Sequence, residues 1–497
     1  MYLLGYDIGS SSVKVALVEA ATGRSIGMAQ YPAQEMPIDA AHPDWAEQNP
    51  ADWWTAACVA TKQLLAQTGV APQAILSIGI AYQMHGLVAL SKTGAVLRPS
   101  IIWCDSRAVN IGNQAFKSLG EQFCLEHYLN APGNFTASKL RWILENEPDI
   151  FAQIDKVMLP GDYIAYRMTG EICTTITGLS EGIFWDFKQQ SVAGDLLDYY
   201  DIPQRMLPDI KPVFAPQGTL TTEAAKALGL VAGITIGYRA GDQPNNALSL
   251  NVLRPGEIAA TGGTSGVVYA VTSTPKFDPQ MRVNSFAHVN YSPEKPLTGV
   301  LLCINGAGSA YRWARQAFGD KELSYNALEA MASSVDIGAE GLTVLPFGNG
   351  SERMLGNMNP GAMFAGLQFN RHEPRHFYRA VLEGIAFSFV QGVEVLRAMG
   401  IPVELLRVGN DNLFQSEIFS NTIATLLGAK IEVLSTNGAV GAAKASGVAV
   451  GVYASVEAAM QQVEVVREYK PAKLTGDYQI AFERWRNLLS NNYKNTP

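Results

Sequence analysis

The chain opens on an apolar run, residues 2–8, interrupted by Gly5 and Asp7 and stopped by Gly9-Ser10-Ser11-Ser12. A second apolar run, 13–18, follows and ends at Thr22-Gly23. Short apolar runs joined by a tight Gly/Ser turn predict strand, turn, strand. Asn49-Pro50-Ala51-Asp52 marks a helix start. The Asn side chain can cap, proline suits the first helical position, and the carboxylate favours the positive end of the helix dipole. Residues 74–81 read as a buried strand, and 87–90 and 96–97 flank a turn at Lys92-Thr93-Gly94.

The opening plan recurs about half a chain later. Residues 257–260 form a short apolar run, Thr261-Gly262-Gly263-Thr264-Ser265-Gly266 a turn, and 267–271 a second run. The interval is far too long for a solenoid repeat. It predicts an α/β protein with a duplicated domain, 1–238 and 239–497, divided near Tyr238-Arg239. Residues 375–399 carry apolar positions at helical spacing and stop at Gly400 with Pro402 beyond; 416–427 read as a helix stopped by Gly428. The segment 437–443 is dense in small residues, which permits close backbone packing, and 491–497 read as a frayed end.

The length of 497 residues also exceeds one core, and 47% hydrophobic with 16% charged residues is a globular profile. A net charge of −8 gives no basic footprint for nucleic acid. A phosphorylated ligand must then be held locally, by backbone N–H groups and a few cations. Five cysteines, scattered and never in CxxC spacing, read as a reduced compartment without a thiolate metal site. The six histidines are dispersed apart from His372 and His376, which bracket Glu373-Pro374-Arg375 at HExxH spacing; Pro374 inside that spacing is foreign to the helix such a zinc motif occupies, so catalytic zinc is not expected. Asp7 breaks the first apolar segment where a secretory signal would not, and no apolar run is long enough to span a bilayer. These features predict a soluble cytoplasmic protein, with neither nucleic acid nor membrane as a partner.

Successive N–H groups in a tight Gly/Ser turn form a concave, positively polarised nest for phosphate. Gly9, Ser10, Ser11, Ser12 and Lys14 supply such donors. Asp7, at the strand end, can reach a phosphate-bound Mg²⁺ through water, which suits that ion's reluctance to dehydrate. A plain hairpin turn is the even-odds alternative. The second turn, with Gly263 and Thr264, shifts the balance: two turns in matching settings point to one phosphate chain gripped from both sides. No Walker sequence is present. Asp242, between Gly241 and Gln243, is placed to accept a proton from an attacking hydroxyl, a task an Asp performs in kinases; a helix cap is the plainer reading. Gln83, Met84 and His85, after the buried strand, combine hydrogen-bonding groups with an adaptable apolar wall and suit a polyhydroxylated ligand, although a lone His near a core strand is more often simply hydrogen-bonded and structural. Trp103 offers a sugar platform. Asp105 reads either as a ligand group or as the partner of Arg107 in a structural ion pair.

Taken in order, these residues resemble the FGGY carbohydrate kinases, and within them the xylulokinase branch, over nearly the whole chain. Gly5-Tyr6-Asp7-Ile8-Gly9-Ser10-Ser11-Ser12-Val13-Lys14 is similar to that family's first phosphate loop, and Gly262-Gly263-Thr264-Ser265 to its second. Trp45-Ala46-Glu47-Gln48-Asn49-Pro50 resembles its early helix entry and Gln83-Met84-His85-Gly86 the xylulokinase form of its sugar loop. Ala307-Gly308 with Arg312-Trp313 is similar to a nucleotide-contacting helix start. Leu345-Pro346-Phe347, 361–367 and Arg379-Ala380-Val381-Leu382-Glu383-Gly384 resemble its C-terminal signature.

The resemblance implies two actin-like, ribonuclease-H-like domains with a cleft between them. It implies Asp242 as general base and Asp7 near Mg²⁺. Gln83, Met84, His85, Trp103, Asp105, Asp242 and Gln243 would surround the sugar. ATP would lie on the second domain near Gly263, Thr264, Gly308, Asn412 and Ser416. The implied reaction is ATP-dependent phosphorylation of a ketopentose, D-xylulose to its 5-phosphate, in pentose catabolism. The alternatives are another ketose, polyol or sugar-acid kinase and, more distantly, an actin-like ATPase switch. A homodimer is compatible with the resemblance. Three positions depart from the branch: Cys104-Asp105-Ser106-Arg107 replaces Asn-Asp-Gln-Arg, Gln243 replaces Asn, and the adenosine loop reads Gly409-Asn410-Asp411-Asn412-Leu413-Phe414-Gln415-Ser416 instead of being glycine-rich.

Overall fold

Tyr2–Ile8 (β1) is apolar on both faces and almost wholly buried, and Val13–Glu19 (β2) folds back on it antiparallel, Ile8 opposite Val13. Ser25–Tyr31 (β3) extends the meander at the exposed edge. On the other side of β1, Ile75–Tyr82 (β4) and then Thr235–Gly241 (β5) join in parallel. The sheet order is β5-β4-β1-β2-β3. The structure is a computed structural model and describes residues 1–319, 322–350, 352–473 and 476–493.

The second half repeats this arrangement. Glu257–Gly262 (β6) and Gly266–Thr272 (β7) form the antiparallel hairpin, with Gly262 opposite Gly266. Asn284–Ala287 (β8) and Thr298–Ile304 (β9) follow, then Leu405–Gly409 (β10), Lys430–Leu434 (β11) and Val465–Tyr469 (β12), in the order β8-β9-β7-β6-β10-β11-β12. Without its outer strands this sheet is β9-β7-β6-β10-β11. A hairpin is flanked by one antiparallel strand and by two parallel ones, the plan of the first sheet. This is the duplicated domain that the repeat predicts, and the two-domain actin-like fold that the resemblance implies.

Pro50–Thr68 (α1) starts as read, the Asn49 side chain accepting from Ala51 N–H at 3.1 Å, and ends at Gly69 in the left-handed region. It packs on β2 and β3. Asp242–Ser249 (α2) leaves β5, and Gly308–Phe318 (α3) leaves the end of β9. Pro374–Ala398 (α4) and Glu417–Leu427 (α5) match the two helices predicted in the second half to within a residue or two.

Two expectations about organisation change. The division between 238 and 239 falls inside β5, whose residues pair with β4 as far as Gly241. Gly438–Ala449 (α6) belongs to the second half by sequence but packs on β1, β4 and β5 of the first sheet. Gly5 and Gly79 stand opposite each other on neighbouring strands, and a Cβ on either would overlap a carbonyl oxygen of α6, at Ala439 and Ala442 respectively. The small residues at 437–443 therefore serve a helix-on-sheet contact that ties the two halves together. The last helix, Gly476–Tyr493 (α7), is ordered through residues 491–493, and Trp485 Nε1 donates to Val344 O at 2.9 Å inside the core. The rest of the expected fray, 494–497, lies outside the described residues. Among the described residues no helix is long and apolar enough to cross a membrane.

Candidate active site

Three parallel strands deliver their carboxyl ends side by side. Ile8 is registered with Tyr82 and Tyr82 with Gly241, so Gly9, Gln83 and Asp242 each stand one residue past a neighbouring strand end. Ligands of open α/β sheets bind at such ends.

Gln83 is 3% exposed, and among the described residues neither its amide nitrogen nor its amide oxygen has a hydrogen-bond partner. Buried amides are seldom left unpaired in proteins. Met84 is buried beside it, against Gly241. His85 has a φ of 62°, left-handed for a residue with a Cβ. Such strain costs about 1–3 kcal/mol and persists only where the surroundings hold it. Glu181 Oε2 accepts from His85 N–H at 2.9 Å, and Lys139 Nζ donates to His85 O at 3.0 Å and to Ile102 O at 2.9 Å. His85 Nδ1 lies 2.9 Å from Glu181 O. A carbonyl only accepts, so Nδ1 carries the proton and Nε2 is left as an acceptor. Burial, then Lys139 and Arg353, push the imidazole pKa down to about 3, so the ring is neutral at physiological pH. Phe135 and Phe286 flank it, with ring centroids 4.8 and 5.3 Å away.

Asp242 is the first residue of α2, where the helix dipole favours a charged carboxylate. Burial and the neighbouring Asp7 outweigh that and push its pKa up to about 7, against bonds from Gln243 that lower it. Its Oδ1 is buried with no hydrogen-bond partner among the described residues. Asp7 is itself raised by burial, with Lys14, opposite it on β2, pulling the other way. Gly438, at the start of α6, closes on Asp7 so tightly that a Cβ there would lie 2.9 Å from Asp7 Oδ2. Asn245 Nδ2 donates to Gly438 O at 3.0 Å, so α2, α6 and β1 meet at this carboxylate.

The first turn is closed by Gly9 N–H on Ser12 O at 3.0 Å. Gln48 Nε2 donates to Ser10 O at 2.6 Å and Met36 N–H to Ser11 O at 2.8 Å. Trp103 is 53% exposed, and its Nε1 donates to Ser10 Oγ at 3.3 Å, which places the ring at the rim beside the loop. Asp105 is a correction. It is fully buried, and its carboxylate accepts from Ala46 N–H at 2.6 Å and from Arg107 Nη2 at 2.6 Å and Nε at 3.0 Å. Arg107 also pairs with Glu47 at 2.7 Å and stacks on Trp45, 3.8 Å from the ring centroid. Both Asp105 oxygens are occupied, so the structural ion pair is the reading that holds.

The second turn rests on a helix start. Gly308 N–H donates to Gly263 O at 2.9 Å and Ser309 N–H to Thr264 O at 3.1 Å. Above it opens a cavity of about 470 Å³ lined by Gly262, Gly263, Thr264, Gly308, Asn412 and Ser416 together with Tyr311, Arg312, Tyr325, Asn326, Glu329 and Leu413. That volume is within the range of small-molecule sites. Asn412 and Ser416 line it while capping: Asn412 Oδ1 accepts from Phe414 N–H and Ser416 Oγ from Phe419 N–H, both at 3.1 Å. Leu413 closes on Gly262, where an added Cβ would lie 2.9 Å from the Leu413 Cβ. Sequence reasoning missed Lys139, Glu181, Tyr325, Asn326 and Glu329. They come from distant helices and carry no local motif.

A duplicated hairpin scaffold, with a near-neutral carboxyl at one strand end and a nucleotide-sized cavity at the other hairpin, defines a two-domain phosphotransferase of the actin-like class. Residues 2–249 match the N-terminal domain of the FGGY family of carbohydrate kinases and residues 258–450 its C-terminal domain. The chain belongs to that family and is a carbohydrate kinase, with ATP as phosphoryl donor and a sugar as acceptor. It is 31% identical over 495 residues to the xylulose kinase of Escherichia coli (strain K12), covering 98% of each chain. The xylulose kinase from Rhodospirillum rubrum superposes with a TM-score of 0.88 at 27% identity, covering 99% of each chain. The gluconate kinase from Lactobacillus acidophilus, at 22% identity and a TM-score of 0.88 over 99% of this chain and 98% of that one, shares the fold.

Proposed function

We propose that the chain phosphorylates a ketopentose, D-xylulose, on its terminal hydroxyl to give D-xylulose 5-phosphate. The carrying observation is a set of polar groups past the ends of β4 and β5: the Gln83 amide and Asp242 Oδ1, which have no hydrogen-bond partner among the described residues, and the His85 Nε2 acceptor. Groups so arranged against Met84 and the aromatic rings of Phe135 and Phe286 suit a short hydroxylated chain with one apolar side. The likeness to xylulose kinases over almost the full length supports the same acceptor.

In this reading Asp242 takes the proton of the attacking hydroxyl as that oxygen approaches the γ-phosphate. A pKa near the working pH is what a general base needs. Gln83, Met84 and His85 hold the sugar, Gln243 holds the Asp242 carboxylate, and Trp103 walls the rim. Gly9 to Ser12 with Lys14, and Gly263 with Thr264, hold the phosphates from two sides. The cavity beside Gly308, Asn412 and Ser416 takes the nucleoside. Most of the catalysis is positioning and charge neutralisation. Asp7 and Asp242 are two buried carboxylates that raise the proton affinity of the site, and the orphaned Asp242 oxygen fits a hydrated divalent cation nearby. Mg²⁺ held by Asp7 through water would neutralise phosphate charge when bound.

A panel of ketopentoses, pentitols, glycerol and aldonates with ATP and coupled ADP detection tests the proposal. ADP release stimulated most by D-xylulose is expected. Glycerol outperforming every ketopentose would overturn it, and ADP release indifferent to every sugar would overturn the acceptor site itself.

A further inference from the structure

The second sheet brings a cation to the sugar side of the cleft. On β8, Asn284 and Phe286 are two residues apart and face the same side of the sheet. Phe286 meets the His85 ring, and Asn284 Oδ1 accepts from Arg353 Nη1. Arg353 opens a short helical turn, Arg353–Leu355. The residue before it, Glu352, is fully buried and pins that turn by accepting from Asn305 N–H at 3.0 Å and Gly306 N–H at 3.2 Å. Glu352 is thereby committed to backbone donors. Among the described residues no carboxylate forms an ion pair with Arg353, and Asn284 is its one hydrogen-bond acceptor.

The Arg353 side chain is half-buried, which lowers its pKa, and its charge is felt at His85 and at Cys303. Its partner Asn284, two residues along the strand from the Phe286 that meets His85, puts it on the His85 side of the sugar loop. A half-buried guanidinium with a single neutral acceptor keeps most of its five N–H donors for a ligand that supplies oxygen lone pairs. His85 Nε2 can only accept, so it selects a hydroxyl. Arg353 can only donate, and its planar fork matches a carbonyl or carboxylate better than a hydroxyl.

We propose that Arg353 is a substrate-binding residue that donates to an sp² oxygen of the acceptor, at the end remote from the hydroxyl facing Asp242. The inference rests on the acceptor site described under the proposed function and adds the feature by which a ketose or aldonate is told from a polyol.

The test compares the parent enzyme with Arg353→Met on D-xylulose, D-gluconate and xylitol, the last as substrate or competitive inhibitor. Loss of a charged hydrogen bond predicts a fall in kcat/KM of roughly 10- to 150-fold on the preferred sp²-oxygen acceptor. The KM for ATP and the response to xylitol should stay near the parent's, so discrimination against the polyol collapses. The arm with the larger loss identifies ketone or carboxylate. Equal losses on xylitol and xylulose, a parallel rise in the ATP KM, or unchanged sugar kinetics would each overturn the assignment. If Arg353→Met fails to fold, Arg353→Lys retains the charge without the fork and should still lose discrimination; an Arg353→Lys enzyme with parental selectivity overturns it equally. A parent that prefers gluconate to every ketopentose defeats the D-xylulose reading alone and leaves Arg353 to be judged on gluconate.

Discussion

The two hairpin turns occupy the same place in the same five-strand plan, yet they are built in opposite ways. The turn after β1 sits among charges and side-chain hydrogen bonds. Asp7 and Lys14 face each other across it, and Gln48 and Trp103 hold Ser10. The turn after β6 contains no charged residue and is held by two backbone donors from the start of α3. A Cβ on Gly308 would overlap the Gly263 carbonyl oxygen, whereas a Cβ on Gly263 meets nothing nearer than 3.6 Å. Gly308 is thus needed for packing, and Gly263 leaves open backbone towards the cavity. Buried ionisable groups do not follow this division: Lys139, Asp162, Glu181 and Arg239 lie in the first half, and Glu352, Glu383 and Lys444 in the second. Duplication supplied two equivalent turns. The turn after β1 is set among charged side chains, and the turn after β6 keeps bare N–H groups and space.

The largest effect expected from breaking this division is at the proton acceptor. Asp242→Ala should lose about 10²–10⁴-fold in turnover while binding ATP as the parent does in calorimetry. Parental turnover in a folded Asp242→Ala enzyme would end the general-base assignment. In the parent, kcat/KM should fall as pH drops through about 7, where Asp242 becomes protonated, and the limb should not follow His85, whose pKa is held near 3.

The same burial predicts a stability cost of the opposite sense. Asp242 binds its proton more tightly when folded, so ionising it destabilises the native state. Without nucleotide, Asp242→Asn should raise stability by at most about 4 kcal/mol above the folded pKa. The gain should shrink as pH falls towards the unfolded value of 3.8. Thermal melts at pH 8 and pH 5 check this; a variant less stable than the parent at pH 8 contradicts it.

A smaller effect is expected at the sugar loop. His85→Ala removes one buried polar contact, about 1–3 kcal/mol, or roughly 5- to 150-fold in kcat/KM for the sugar, with the ATP parameters unchanged. Varying each substrate separately in steady-state kinetics decides it.

The smallest concerns the bare turn. Gly263→Val should keep the parental melting temperature, because its Cβ has room, yet weaken ATP binding by about tenfold, or about 1.4 kcal/mol. Gly308→Val should lower the melting temperature instead, by pushing α3 off the Gly263 carbonyl. Calorimetry and melts on the pair separate a phosphate-facing glycine from a packing one; unchanged ATP affinity in Gly263→Val means the second turn does not hold phosphate.

Much of this was legible in local pattern. Both hairpins, the start of α1 and the ends of α4 and α5 follow from short-range chemistry: apolar runs, a capping Asn49, stop glycines. Asp7, Gln83 to His85 and Asp242 could be singled out because each directly follows or ends a strand, where turns expose side chains. Asp105 shows the limit. Its pattern allowed a ligand or an ion pair, and only the approach of Ala46 N–H and the Arg107 fork, itself stacked on Trp45, decides between them.

The amino-acid order by itself determined the duplicated scaffold and the kinds of group at its strand ends, because periodicity, turns and caps act over a few residues. Tertiary structure decided what those groups became. The helix Gly438–Ala449 crosses to the first sheet through Gly5 and Gly79. Glu181 and Lys139, 96 and 54 residues from His85 along the chain, hold its left-handed backbone and leave Nε2 as an acceptor. Asp7 and burial together carry Asp242 to about 7. Each of these depends on which groups are brought together out of water, and desolvation and charge coupling act through space, where separation along the chain carries no information.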